Sequence, residues 1–196
     1  MDHTLREQSL LNFFKQYKNL SKIDEIKMVY GLRLFILDLK KFTIIYSLAF
    51  ILGITIELLL VQIGFITFRQ VAFGLHCSGY WSCLIASGVV FLGGTYFFSM
   101  IHLTASFIYY LFFFCVFVLT LLAPISSKNI KIKGPNHRHQ LRRKMYIRFF
   151  AMLLAIILLP LQFSEFLIFG VLIETLIICY SYVTLKRGKL ECLKNL

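Results

Sequence analysis

Charge is almost absent from two long stretches of this chain, and that absence decides what it can fold into. Between Phe42 and Ile125 the only charged residues are Glu57 and Arg69, and between Phe149 and Leu185 only Glu165 and Glu174. A charged side chain at the centre of a bilayer costs a few kcal/mol on the insertion scale. Stretches this poor in charge therefore read as membrane-embedded. Composition agrees, with 59% of the 196 residues apolar and 15% charged, against about half and a quarter in soluble domains. This excludes a soluble globular domain, and the high hydrophobicity excludes disorder.

The cations gather where the apolar runs end. Of the 21 Lys and Arg residues, all but Arg69 lie in segments 1–41, 126–148 and 186–196. That is the pattern of loops facing anionic lipid on the cytoplasmic side. The net charge of +12 is thus a membrane signal rather than a nucleic-acid footprint, because the basic residues are not interleaved with stacking aromatics on a soluble surface. The five Cys form no disulfide framework. Cys115 and Cys179 lie inside apolar runs, where a thiol acts as a small hydrophobe. The N-terminus lacks the short apolar core and cleavage site of a secretory signal. Residues 1–41 read as amphipathic helices on the inner membrane surface, or as a soluble helical hairpin packed on the membrane domain.

Five apolar stretches follow, Phe42–Phe68, Trp81–Met100, Leu103–Ile125, Met145–Phe163 and Phe166–Leu185. Each is near the ~20 residues that cross a bilayer. Five single crossings starting from an inner N-terminus would put the basic loop 126–144 outside, against the positive-inside rule. Gly53, Glu57, Gln62 and Gly64 interrupt the first stretch, so 42–68 is expected to be a re-entrant or spanning helical pair. The fold expectation is an all-α polytopic membrane protein. It has N-terminal interfacial helices, that pair, two spans in 81–125, a basic cytoplasmic loop 126–144, two spans in 145–185 and a basic tail 186–196. Both termini and the 69–80 loop then lie in the cytoplasm. Glu165 falls between two spans and reads as a solvated turn residue. Glu57 and Glu174 read as structural, protonated or paired with a cation such as Arg69.

The informative segment is FRQVAFGLHCSGYWSCLIAS, residues 68–87, a polar island in the first apolar block. His76 and Cys83 are a candidate base and nucleophile, since a neighbouring imidazole can hold a thiol as thiolate. On one straight helix residues seven apart stand ~10 Å apart, too far for a hydrogen bond. The pair meets only if His76 lies in a loop before the helix that carries Cys83. Gly74 and Gly79 permit that fold-back, and Ser78 or Ser82 can cap the helix that follows. Two other readings stay open at this point. The segment is also compatible with a polar loop whose His and Cys merely pack, and with a zinc site using His76, Cys77 and Cys83. The thiol site is preferred over the metal, because no second ligand cluster accompanies the three. Cys77 is the other nucleophile to weigh.

The order Phe68-Arg69, Gly74-Leu75-His76, six residues, Cys83, then Ser87 resembles the accessory gene regulator B (AgrB) family of membrane cysteine endopeptidases in Gram-positive quorum sensing. LLAPISSKNIKIKGP with its basic loop resembles that family's central cytoplasmic loop, and GVLIETLIICY its last span. Many members carry Gly-Gly-Tyr-His where this chain has Phe73-Gly74-Leu75-His76, and Cys77 is not part of the family pattern. The resemblance implies that Cys83 and His76 are catalytic, with Arg69, Gly74, Ser78 and Ser87 in support and with no cofactor or metal. It implies a precursor peptide of the AgrD type as substrate, cut before its acidic tail through a thioester that closes a thiolactone. Lys128, Lys131 and Lys133 are expected to steer that tail, and a homodimer is a further expectation. Anionic lipid is an expected partner and nucleic acid is not. The alternative class is a small membrane transporter or exporter component without protease activity. That class would line several spans with polar residues, whereas here they cluster in one segment.

Overall fold

The computed structural model describes residues 22–72, 80–101, 103–125 and 134–194. They form helices and the turns between them: α1 Lys22–Leu52, α2 Thr55–Ala72, α3 Tyr80–Ser87, a π-helical turn Gly88–Gly93, α4 Gly94–Phe98, α5 Ala105–Leu122, α6 Gly134–Leu158 and α7 Leu161–Lys194. The chain divides into two compact units, Met1–Leu48 and Ala49–Leu196. In the first, the described residues from Lys22 onward are one helix with exposed apolar side chains such as Ile26, Tyr30, Phe35 and Leu39. The interfacial helix expected before residue 22 lies outside the described residues.

The second unit is a helical bundle, and the protein is an all-α polytopic membrane protein. Four of its helical segments are long and apolar enough to cross a membrane: Thr55–Ala72, Tyr80–Phe98, Ala105–Leu122 and Leu161–Lys186. The number matches the four expected crossings, but the membership differs. Thr55–Ala72 is among them, and the expected stretch Met145–Phe163 is not. The helix through that stretch carries Arg142, Arg143, Lys144 and Arg148, so only its second half is continuously apolar.

The turns explain where the helices stop. α1 ends at Gly53, whose φ of 72° is cheap only for glycine. The Gly53 N–H donates to the Phe50 carbonyl at 3.2 Å and the Ile54 N–H to the Ala49 carbonyl at 3.0 Å, the paired bonds of a Schellman stop. The break expected inside 42–68 falls here. The helix after it is more than a shallow dip, because its 18 residues span ~27 Å. α5 stops before Pro124 and α6 before Pro160, because the residue preceding a proline is driven out of helical geometry.

α2 and α7 form the central pair and run parallel. Along α2 the buried residues Leu58, Val61, Gln62, Gly64, Phe68, Val71 and Ala72 recur at helical spacing and make one continuous face. That face lies against Leu167, Ile168, Gly170, Val171 and Glu174 of α7. Lipid tails are as apolar as Leu, so such helices hold together by close packing and small residues more than by the hydrophobic effect. The π-helical turn and α4 run back along them, with the Phe65 and Phe91 rings 4.9 Å apart and Phe98 stacked on Phe169 at 4.4 Å. α5 returns in the direction of α2, so that the Ile125 N–H reaches the Ala72 carbonyl at 3.1 Å. One end of the bundle thus gathers the C-termini of α2, α5 and α7 with the start of α3 and the basic half of α6. The other end, at 53–55, 99–104 and 158–162, carries no Lys or Arg.

Glu165 corrects the sequence reading. It lies inside α7 at 5% exposure and accepts the Leu103 N–H at 3.3 Å. The turn sits five residues earlier, at Pro160. Ser164 caps it, its hydroxyl donating toward the Ile156, Leu159 and Pro160 carbonyls at 3.1–3.3 Å.

Candidate active site

The polar island begins where α2 ends, and three neighbouring segments hold that end. Arg148 of α6 donates to the Thr67 carbonyl and, at 2.8 Å, to Gln70 Oε1. The Phe149 ring packs on Phe68 with centroids 4.8 Å apart. Ile125, after α5, satisfies the Ala72 carbonyl, one of the acceptors a helix leaves open at its C-terminus. The negative end of the helix dipole also favours the cations gathered here.

Arg69 is the second cation of this end. Its Nη1 lies 3.6 Å from Glu174 Oε2 on α7, and its guanidinium stands 5.9 Å from the Phe65 ring centroid. The Glu174 side chain is fully buried and that of Arg69 is 15% exposed. The pairing expected between an intramembrane carboxylate and Arg69 is therefore present. A buried carboxylate needs such a partner, because an isolated ion in this setting costs many kcal/mol.

His76, Gly74, Cys77 and Ser78 lie in residues 73–79, outside the described residues, as do Lys128, Lys131 and Lys133. Cys83 is the fourth residue of α3 and half-buried. Ser87 lies one turn further on the same face and is also half-buried. Trp81, Ser82 and Ile85 are the exposed residues of that helix, with Trp81 at 71% and Ile85 at 63%. The structure therefore places Arg69 near the end of α2, and Cys83 and Ser87 in α3, the next described helix, which starts at the basic end of the bundle. Of the three residues weighed as zinc ligands, Cys83 alone is described.

Two residues that hold this site escape a reading of the sequence. Arg148 is one of eight cations in 126–148, and nothing in that run separates it from its neighbours. Gln70 follows Arg69 without a motif. Together with Ile63, Ile66 and Thr67 they line a surface cavity of about 320 Å³ on the flank of α2.

An all-helical, multi-pass membrane protein with a half-buried thiol in the first turn of one span, and an Arg–Glu pair between two others, is the class that fold and site define. The family follows from comparison. A family model for accessory gene regulator B matches residues 7–187, and the chain belongs to that family. It is 27% identical over 140 residues to a putative AgrB-like protein of Listeria innocua, covering 71% of this chain and 68% of that protein. It is 24% identical over 161 residues to the accessory gene regulator protein B of Staphylococcus intermedius, covering 82% and 85%. With the protein of that name from Staphylococcus aureus it shares 22% over 168 residues, covering 84% and 87%. No solved structure matches the chain.

Proposed function

We propose that this protein is a membrane-embedded cysteine endopeptidase that removes the C-terminal tail of an AgrD-like precursor peptide and promotes closure of a thiolactone ring. Membership of the accessory gene regulator B family over nearly the whole chain carries this reading. The place of Cys83 supports it: the first turn of a helix has unpaired N–H groups and a positive dipole end, both of which favour thiolate.

In this mechanism His76 takes the proton of Cys83. The thiolate attacks the carbonyl carbon of the peptide bond before the acidic tail. The C–S bond forms, the C–N bond breaks, and the departing amine takes the proton back from His76. The acyl-enzyme is a thioester. The precursor's own Cys, as thiolate, then attacks that thioester and expels Cys83, which recovers a proton. One thioester replaces another, so the exchange is nearly neutral in free energy. The tethered thiol outcompetes water through its effective molarity. The basic end of the bundle faces the cytoplasm in this reading, following the positive-inside rule. A precursor with an amphipathic leader meets the site at the membrane surface. Lys128, Lys131 and Lys133 steer its acidic tail. Charge reversal at these three lysines is then expected to slow processing with topology intact, and unchanged processing would remove the steering role.

Co-expression with the precursor tests the whole proposal. Wild type is expected to remove the tail and to yield a trappable thioester at Cys83, and Cys83→Ala to do neither. Tail removal that persists in Cys83→Ala sinks the proposal. Persistence there with loss in Cys77→Ala moves the nucleophile to Cys77.

A further inference from the structure

We infer that the cavity on the flank of α2 is a binding site for an anionic phospholipid, with the headgroup phosphate on Arg148 and the start of an acyl chain along Ile63 and Ile66. The inference does not depend on the chemistry at Cys83. The cavity, about 320 Å³ and lined by Ile63, Ile66, Thr67, Gln70 and Arg148, falls at the small end of the ~300–1,000 Å³ of ligand clefts. Along α2 its lining runs from apolar to polar. At the polar end the Arg148 guanidinium is held by the Thr67 carbonyl and, at 2.8 Å, by Gln70 Oε1. Those bonds occupy two of the five N–H donors of a guanidinium. No carboxylate among the described residues pairs with it. Glu174 faces Arg69, Glu57 lies in the first turn of α2, and Glu165 holds Leu103 at the opposite end of the bundle. Gln70 gives its oxygen to Arg148, so its amide nitrogen keeps two donors for an incoming anion. A planar fork held in place without a counter-ion, beside a second donor, suits a phosphate diester.

The position selects a lipid over a soluble anion. The 18 residues of α2 span ~27 Å, close to the ~30 Å of hydrocarbon in a bilayer. Thr67 and Gln70, in its last two turns, therefore stand at the level of the headgroups. On the hydrocarbon side of them Ile56, Leu59, Ile63 and Ile66 are exposed. Their spacings of three and four residues make one lipid-facing stripe that runs into the cavity. A free phosphate leaves Ile63 and Ile66 unused, whereas a lipid engages both ends of the lining at once. The charge fits as well. Arg143 and Lys144 are exposed on α6 and draw anionic lipid to this end of the bundle, and Arg148, one turn beyond Lys144, receives it. A zwitterionic lipid offers the same phosphate but carries its own cation, which these residues repel.

Native mass spectrometry tests the site. Purified full-length protein is stripped of lipid in detergent, its folded fraction is isolated by size-exclusion chromatography, and phosphatidylglycerol or phosphatidylcholine is titrated back. Wild type is expected to bind the first phosphatidylglycerol about tenfold or more tightly than phosphatidylcholine. Arg148→Gln is expected to abolish that preference. Arg143→Gln removes the same charge from an exposed residue outside the cavity and should leave the affinity within about twofold of wild type. Ile66→Trp fills the apolar part of the cavity with Arg148 intact and should weaken phosphatidylglycerol binding several-fold. Its site is exposed, so it decides the matter even where Arg148→Gln fails to fold. Equal affinity for the two lipids in wild type overturns the inference. So does unchanged binding in Ile66→Trp, and so do equal losses in Arg143→Gln and Arg148→Gln, which a diffuse surface attraction would give. Glycerol phosphate and a polyglutamate peptide serve as competitors, and neither is expected to displace the lipid. Displacement by the first makes this a soluble-phosphate site and by the second an acidic-peptide site, and either result overturns the lipid assignment.

Discussion

Gly64 of α2 and Gly170 of α7 meet back to back. A Cβ on Gly64 would overlap the Leu167 carbonyl oxygen, and a Cβ on Gly170 the Val61 carbonyl oxygen and the Phe65 nitrogen. The atoms in the way are backbone, so a side chain there cannot be absorbed by a rotamer change. Each Gly→Ala replacement is expected to cost about 1–3 kcal/mol or more, the range for overpacking a tight contact. Gly31 of α1 is the control, since a Cβ there meets nothing within 4 Å and removes a flexible residue from a helix interior. Thermal unfolding in detergent should show lowered midpoints for Gly64→Ala and Gly170→Ala and none for Gly31→Ala. Equal midpoints for all three would mean that the two helices are not in backbone contact.

Arg148→Ala removes both donors that tie α6 to the end of α2. Hydrogen bonds from a charged group contribute about 1.5–3 kcal/mol. One of these is part-buried and the other exposed, so solvent screening reduces the expected loss to about 1–2 kcal/mol. Arg148→Lys keeps the charge without the planar fork and should fall between the two in a denaturant titration. A lysine variant as unstable as the alanine one would show that the fork geometry carries the whole effect.

Glu165 serves the opposite end of the bundle. Glu165→Ala leaves the Leu103 N–H without its acceptor, at a cost of about 1–3 kcal/mol for a group shielded from water. Glu165→Gln keeps an acceptor oxygen in place and should cost less than half as much. If the two variants lose equal stability, the charge of Glu165 matters rather than its hydrogen bond.

The fold class was legible because a membrane forbids what water permits. Two long stretches nearly free of charge are at home in a bilayer and hardly anywhere else, and the lone cations and anions inside them had to find each other. Arg69 and Glu174 do so. Glu165 shows where such reading stops. A polar Ser-Glu pair between apolar runs looks like a turn, yet Pro160 makes the turn, and Glu165 is drawn inside by an N–H 62 residues away. Contacts at that separation leave no trace in local pattern. The same holds for Arg148, whose partners on α2 lie about 80 residues earlier. In the first stretch the break at Gly53 was visible, but whether the next helix dips or crosses depended on its length to Ala72. Cys83 and Arg69 are singled out by motif alone, whereas the grip on the end of α2 is a product of packing between helices.

The crossing by α2 is open to direct measurement. If Thr55–Ala72 spans the bilayer, Thr55 lies at the same face as Ser99 and Ile101, and at the face opposite Arg143. The far end carries no Lys or Arg while Arg138, Arg142, Arg143, Lys144 and Arg148 crowd the other, so the positive-inside rule puts the far end outside. Single cysteines at Thr55, Ser99 and Arg143, in a chain whose native cysteines are replaced, should separate in whole cells. Thr55→Cys and Ser99→Cys are expected to react with an impermeant maleimide added outside, and Arg143→Cys only after the membrane is opened. A Thr55→Cys that resists labelling from both sides, beside a reactive Ser99→Cys, would mean that α2 starts within the hydrocarbon. The pair around Gly53 would then be re-entrant.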